Sequence, residues 1–213
     1  MEDLFIELAG NCFQLLPQKA AYWNERRTLI IADTHFGKAT HFRKAGIPVS
    51  DEVFLADLRN LDALIARFNC NRVIVVGDFF HSDFNTEWNR FSNWLHSSSL
   101  QEWLLVPGNH DNYTRNISAG AKFQITPSEY FEAGILFKHE PTPSKYPLIC
   151  GHVHPGINLK GNARQRLKLP CFVYNNQLLM LPAFGKFTGL GIVKPVIGNR
   201  YFMITEQAVI EAN

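Results

Sequence analysis

Arg72-Val73-Ile74-Val75-Val76-Gly77-Asp78 is a short apolar run that ends on a glycine and a carboxylate. Its length and its β-branched residues read as a buried strand delivering one acid to a loop. One such strand says little, because many α/β strands end in an acid. The neighbours make it informative. Asp33-Thr34-His35 precedes it, and Gly108-Asn109-His110-Asp111, His139 and Gly151-His152-Val153-His154 follow, each just after a strand-like apolar run. Packing a core does not require metal-ligating side chains at five successive strand ends.

Working outward, Thr28 to Ala32 is a short apolar strand that ends at Asp33. Ser50 is a helix N-cap followed by two acids, and Val53, Leu58, Leu61, Leu64, Ile65 and Phe68 recur at helical spacing, predicting a helix over about 51–68. The strand 72–77 comes next, then a helix from about Thr86 with Trp88, Phe91, Trp94 and Leu95 on its apolar side, then a strand from Glu102 to Val106. That alternation predicts a parallel sheet covered by helices. Residues 4–16 read as a hairpin turning at Gly10-Asn11. From about residue 125 the texture becomes β-rich, with short strands at 123–125, 130–132, 135–138, 148–150, 167–174 and 177–181 and a tight turn at Asn175-Asn176. The expected fold class is α/β, with two mixed β-sheets face to face and helices outside. With no repeat and no linker-like stretch, residues 1–213 are expected to form a single domain.

Hydrophobic residues make up 46% and charged residues 19%, a balance that excludes a disordered chain. The 17 phenylalanines read first as core filling. A formal charge of +2 argues neither for nor against a nucleic-acid partner. Cys12, Cys70, Cys150 and Cys171 lack metal-site or pairing spacing and are expected to be reduced thiols, mostly buried. No signal-peptide pattern opens the chain and no apolar run approaches the ~20 residues of a membrane span. A cytoplasmic location without membrane contact is expected.

Ligands at the carboxyl ends of strands in an α/β sheet gather in one crevice. Carboxylate, amide oxygen and imidazole together suit manganese, iron or zinc rather than calcium. Asp33, His35, Asp78, Asn109, His139, His152 and His154 are too many for one four-coordinate ion and suit two ions sharing a carboxylate. Two ions about 3.5–4 Å apart can hold both the attacking and the leaving oxygen of a phosphoryl displacement.

In this order, Asp-x-His, Gly-Asp, Gly-Asn-His-Asp, a lone His and Gly-His-x-His resemble the calcineurin-like metallophosphoesterases, over residues 33 to 154. The resemblance implies that fold and two divalent cations. It assigns Asp33, His35 and His154 to a first ion and Asn109, His139 and His152 to a second, with Asp78 bridging. It makes His110 the proton donor to the leaving group, with Asp111 orienting it. A narrower resemblance rests on His35-Phe36-Gly37-Lys38, on the stretch His41 to Pro48, on Arg166 to Phe172 and on Leu181 to Gly189. These look like the ligase-associated DNA-damage-response endonucleases, the PdeM family. That implies a manganese-dependent phosphodiesterase or endonuclease acting on DNA ends or single strands, with a DNA ligase and a helicase-type exonuclease as repair partners. Iron, zinc or magnesium are the alternative metals.

Arg43, just past the first ligand loop, is the favoured phosphate contact, and Lys38 and Arg164 are further candidates; each also reads as a solvated surface charge. His41, His81 and Asp83 stand open between loop residues and cleft lining, and Phe184 and Phe187 between packing, which is favoured, and base stacking. Two rival functions use the same sequence. A small-molecule phosphatase or phosphodiesterase would keep the metals. A scaffold for protein contacts would keep only the fold, yet buried acids and histidines are costly without a cation.

Overall fold

The computed structural model describes residues 3–44, 46, 48–50, 52–80, 86–111, 120–160 and 166–212, without the side chains of His41, Lys44 and Lys160. β1 (Leu4–Leu8) and β2 (Asn11–Leu16) form a hairpin that β3 (Ala20–Trp23) and β4 (Thr28–Ile31) extend antiparallel. The hairpin turns at Ala9-Gly10, one residue before the expected place. Both residues are left-handed, φ 52° and 72°, which suits the twist of a two-residue hairpin, while Asn11 pairs with Leu8 as part of β2.

After β4 the chain runs through α1 (Lys38–Lys44) and α2 (Glu52–Phe68) to β5 (Arg72–Val76), then through α3 (Thr86–Ser97) to β6 (Glu102–Val106). β4, β5 and β6 are parallel, in the register Ile30 to Ile74 to Leu104, and β7 (Phe123–Ile125) adds a parallel edge. The first sheet therefore runs β1 to β7 in chain order. Its strands alternate between two cores. Leu29, Ile31, Val73, Val75, Trp103 and Leu105 pack under α2 and α3 with Phe54, Leu58, Leu61, Trp88, Phe91 and Leu95. Ile30, Ala32, Ile74, Val76, Leu104 and Val106 face the second sheet. Burial on both faces is why these strands carry unbroken apolar runs.

The second sheet uses β8 (Glu129–Glu132), β9 (Ile135–Lys138), β10 (Leu148–Cys150), β11 (Pro155–Lys160), β12 (Arg166–Asn175), β13 (Leu178–Met180), β14 (Gly191–Ile192), β15 (Arg200–Ile204) and β16 (Val209–Ala212). Its order is β14-β11-β12-β13-β10-β9-β8, with β15 and β16 continuing from β12. β10 is parallel to β9 and β13, whereas β12 is antiparallel to β11, β13 and β15, so this sheet is mixed, as the first one is. Ile135, Phe137, Ile149, Phe172, Leu179 and Phe202 close the inner core from this side. The β12–β13 turn falls at residues 176–177, where Asn175 Oδ1 accepts the Gln177 N–H at 2.8 Å.

The two packed sheets with helices outside agree with the expected architecture. α2 and α3 both cover the first sheet, and among the described residues the second sheet's outer face carries a small cluster around Cys171, Val173 and Tyr201. The strands β3, β11, β14, β15 and β16 were not anticipated.

Candidate metal centre

The carboxyl ends of β4, β5 and β6 meet those of β9 and β10 at one edge of the inner core. Backbone bonds fix the first two loops to each other. The Asp33 N–H donates to the Gly77 carbonyl at 3.0 Å and the His35 N–H to the Asp78 carbonyl at 2.9 Å. From the second sheet the Gly151 N–H donates to the His139 carbonyl at 3.0 Å. Asp33, His35, Asp78, His152 and His154 all have φ between 47° and 69°. Non-glycine residues seldom adopt this region, and such strain concentrates where side chains must be aimed.

Two groups of donors result. In one, His154 Nε2 lies 3.3 Å from both His35 Nε2 and Asp33 Oδ1. In the other, His139 Nε2 lies 3.1 Å from His152 Nδ1 and 3.4 Å from Asp78 Oδ2. Asp78 Oδ2 is also 3.9 Å from His35 Nε2, so this one carboxylate stands between the groups. Ligands about 2.1 Å from a common ion lie roughly 3.0–3.4 Å apart, and the donor spacings match. The residues therefore fit two divalent cations, and each group has three donors able to hold one. Val76 offers His139 Nδ1 a carbonyl at 3.3 Å; because a carbonyl only accepts, Nδ1 would carry the proton when a cation takes the Nε2 lone pair.

The electrostatics agree. Burial alone would raise Asp78, yet hydrogen bonding and charge from His139, the His110 N–H and the charge of His35 hold its carboxyl well below the usual carboxylate range. Burial opposes a charged His139, but its bond to Asp78 and the carboxylate of Asp33 win and raise it above an ordinary imidazole. This pocket favours positive charge.

Asn109 stands between Gly108 and His110, both of which back onto Asp78: a Cβ at Gly108 would lie 2.4 Å from Asp78 Oδ1, and the His110 N–H donates to that oxygen at 3.1 Å. The Asn109 amide nitrogen donates to Glu140 Oε1 at 2.9 Å. The His110 ring is exposed, 5.9 Å from that of His35. Asp111 is buried and ties two ligand loops together, accepting the N–H groups of Phe79 at 3.0 Å, Phe80 at 3.3 Å and Gly108 at 2.8 Å. Burial, with the Asp78 charge adding to it, outweighs these bonds and raises Asp111 to about 6. A cleft of about 450 Å³ opens beside this loop, lined by Asn109, Ser128, Lys138, His139 and Glu140.

Arg43 is held by protein partners. Its guanidinium donates to the Val49 carbonyl at 3.0 Å and to Thr40 Oγ1 at 2.6 Å and pairs with Glu87 at 3.3 Å. Lys38 begins α1, lies near His35, and is lowered by burial. Arg164, His81, Asp83 and the side chain of His41 lie outside the described residues. Phe184 is buried in the helix-side core, and Phe187 stands half exposed against Phe42, with ring centroids 5.3 Å apart. Cys70, Cys150 and Cys171 are buried free thiols, and Cys12 is a partly buried one.

Sequence reasoning missed three supports. Gly151 admits its neighbour: a Cβ there would sit 2.5 Å from Asp33 Oδ2. Glu87 and Glu140 belong to no motif in the sequence, and their contacts single them out.

A calcineurin-like phosphoesterase profile matches residues 26–178. Among solved structures, the Pseudomonas putida nuclease MPE is 33% identical with a TM-score of 0.84, over 99% of this chain and 100% of that one. A protein of unknown function from Aquifex aeolicus (21% identity, TM-score 0.43, 60% of this chain and 78% of that one) and the E. coli phosphoesterase Yfce (13%, 0.43, 87% and 97%) are more remote. No curated protein matches the chain.

Proposed function

The chain belongs to the calcineurin-like phosphoesterase family and is a metal-dependent phosphoesterase, and on that premise we propose that it hydrolyses phosphodiester bonds of DNA, single-stranded or at ends. The observation that carries the reading is the pair of donor groups sharing Asp78, seen in a chain that is similar along its whole length to a nuclease. Asp33, His35 and His154 would hold one divalent ion and Asn109, His139 and His152 the other, with Asp78 between them. Manganese is the proposed metal. Divalent ions held by these residues would supply Lewis acidity at the phosphoryl oxygens and lower the pKa of a bound water.

The chain's own residues do the rest. His110, exposed at the rim and anchored through its N–H to Asp78, donates a proton to the leaving oxygen. Asp111 sets the His110 loop by binding the Gly108 N–H. Lys38 and Arg43 add positive charge toward the phosphate, Arg43 from a guanidinium already steadied by Glu87. Arg164 is a further proposed phosphate contact. Repair of DNA beside a ligase and a helicase-type exonuclease, in the cytoplasm, completes the proposal; no helix among the described residues is long and apolar enough to cross a membrane.

The test is turnover by metal-stripped protein given Mn²⁺. Bis(p-nitrophenyl) phosphate, its monoester and a single-stranded DNA oligomer are compared. Diester turnover with DNA cleavage is expected. Monoester turnover with intact DNA would move the substrate to small phosphate esters.

A further inference from the structure

We propose that Glu140 is a positioning residue that fixes which end of the Asn109 amide faces the metal centre; this rests on the two-ion reading above. A carboxamide has one end that can ligate a cation, the oxygen, and one that cannot, the nitrogen. Rotation by half a turn about the last side-chain bond exchanges them at little cost unless a neighbour distinguishes them. Glu140 is such a neighbour, because an ionised carboxylate only accepts hydrogen bonds. Its Oε1 receives the Asn109 amide N–H at 2.9 Å, which makes the oxygen the ligating end.

The placement of Glu140 follows from the fold. It is the residue after His139, itself a donor of the second group, at the carboxyl end of β9. Asn109 comes from the end of β6 in the other sheet. The contact therefore crosses the inter-sheet cleft, and Asn109, His139 and Glu140 all line the same 450 Å³ space. Asn109 is exposed, so its backbone neighbours hold the loop while Glu140 holds the amide. Supports of this kind alter metal affinity by about 10–100-fold.

The test is stepwise Mn²⁺ binding by calorimetry to the metal-stripped wild type, Glu140→Ala, Asn109→Ala and the double variant. The wild type should bind two ions. Glu140→Ala should raise the Kd of the second ion roughly 10–100-fold and leave that of the first, which also reports that the variant is folded. In the Asn109→Ala background, removing Glu140 should add less than about threefold, since there is no amide left to orient. Wild-type affinity for both ions in Glu140→Ala would overturn the proposal. So would an additive loss in the double variant, which would mean that Glu140 acts on the ion directly. A wild type that binds fewer than two ions would overturn the two-ion reading itself, and the proposal with it.

Discussion

Asp78 is the side chain that stands between the two donor groups. It is nearly fully buried, its Oδ2 is within 4 Å of a histidine from each group, and its Oδ1 accepts the His110 N–H. Replacing it with asparagine keeps the shape and removes the charge that both ions would share. Asp78→Asn is expected to lose most bound metal and nearly all turnover, about 10³-fold or more, read by elemental analysis beside kcat/KM. His110 differs, because it meets the centre through its backbone N–H and presents its ring to solvent. His110→Ala should keep its metal and lose about 10²–10⁴-fold in kcat, with the loss smaller on a substrate whose leaving group needs no proton. Full activity in that variant on every substrate would remove His110 as the proton donor. At this scale the sequence was informative. Each ligand type stood at a strand end, and the chemistry of Asp, Asn and His narrowed the choice of metal. What it could not convey was the left-handed backbone at five of those residues, since φ there depends on the loops they bind.

The elements hold these side chains through a few buried acids. Glu87, from α3, accepts the Gly37 N–H at 2.7 Å, Thr40 Oγ1 at 2.5 Å and Arg43 at 3.3 Å, and so fastens the start of α1 just after the His35 loop. Glu87→Ala leaves these donors without their acceptor and should destabilise the fold by about 3 kcal/mol in chemical denaturation. Asp57, buried in α2, accepts the Lys186 N–H at 3.4 Å, and burial, only partly offset by Lys186 and Lys19, raises it from 3.8 to about 6. Because the folded-state value is the higher one, folding takes up a proton between about pH 4 and 6. Its contribution to stability is present below pH 4 and is lost as pH rises through 6. Asp57→Asn, which cannot ionise, should therefore gain in Tm over the wild type at pH 8 relative to pH 4.5, by about 2 kcal/mol in equivalent free energy. Equal differences at both pH values would contradict the assignment. The strands β4, β5 and β6 and the helix α2 were legible because runs buried on both faces and helical periodicity are local signals. β14 to β16 were not, because two to five residues with exposed positions carry no period to read.

Across the whole molecule, the parallel half supplies Asp33, His35, Asp78 and Asn109, and the second sheet supplies His139, His152 and His154. Neither half holds a complete site, so stacking the two sheets is also what assembles the chemistry. The Ala32–Ala183 bridge and the Phe184 N–H donating to the Ala32 carbonyl at 2.8 Å join the halves beside Asp33. Order along the chain made the site legible before the fold was known, whereas the pairing of β9 with β10, which sets His139 against His152, is a long-range fact that no local pattern contains. The central claim is a two-ion centre sharing Asp78, and it is tested most directly by electron paramagnetic resonance of the metal-stripped protein titrated with Mn²⁺. Two equivalents taken up with the spectrum of an exchange-coupled pair is the result expected. Saturation at one equivalent, or two ions with uncoupled spectra, would contradict it.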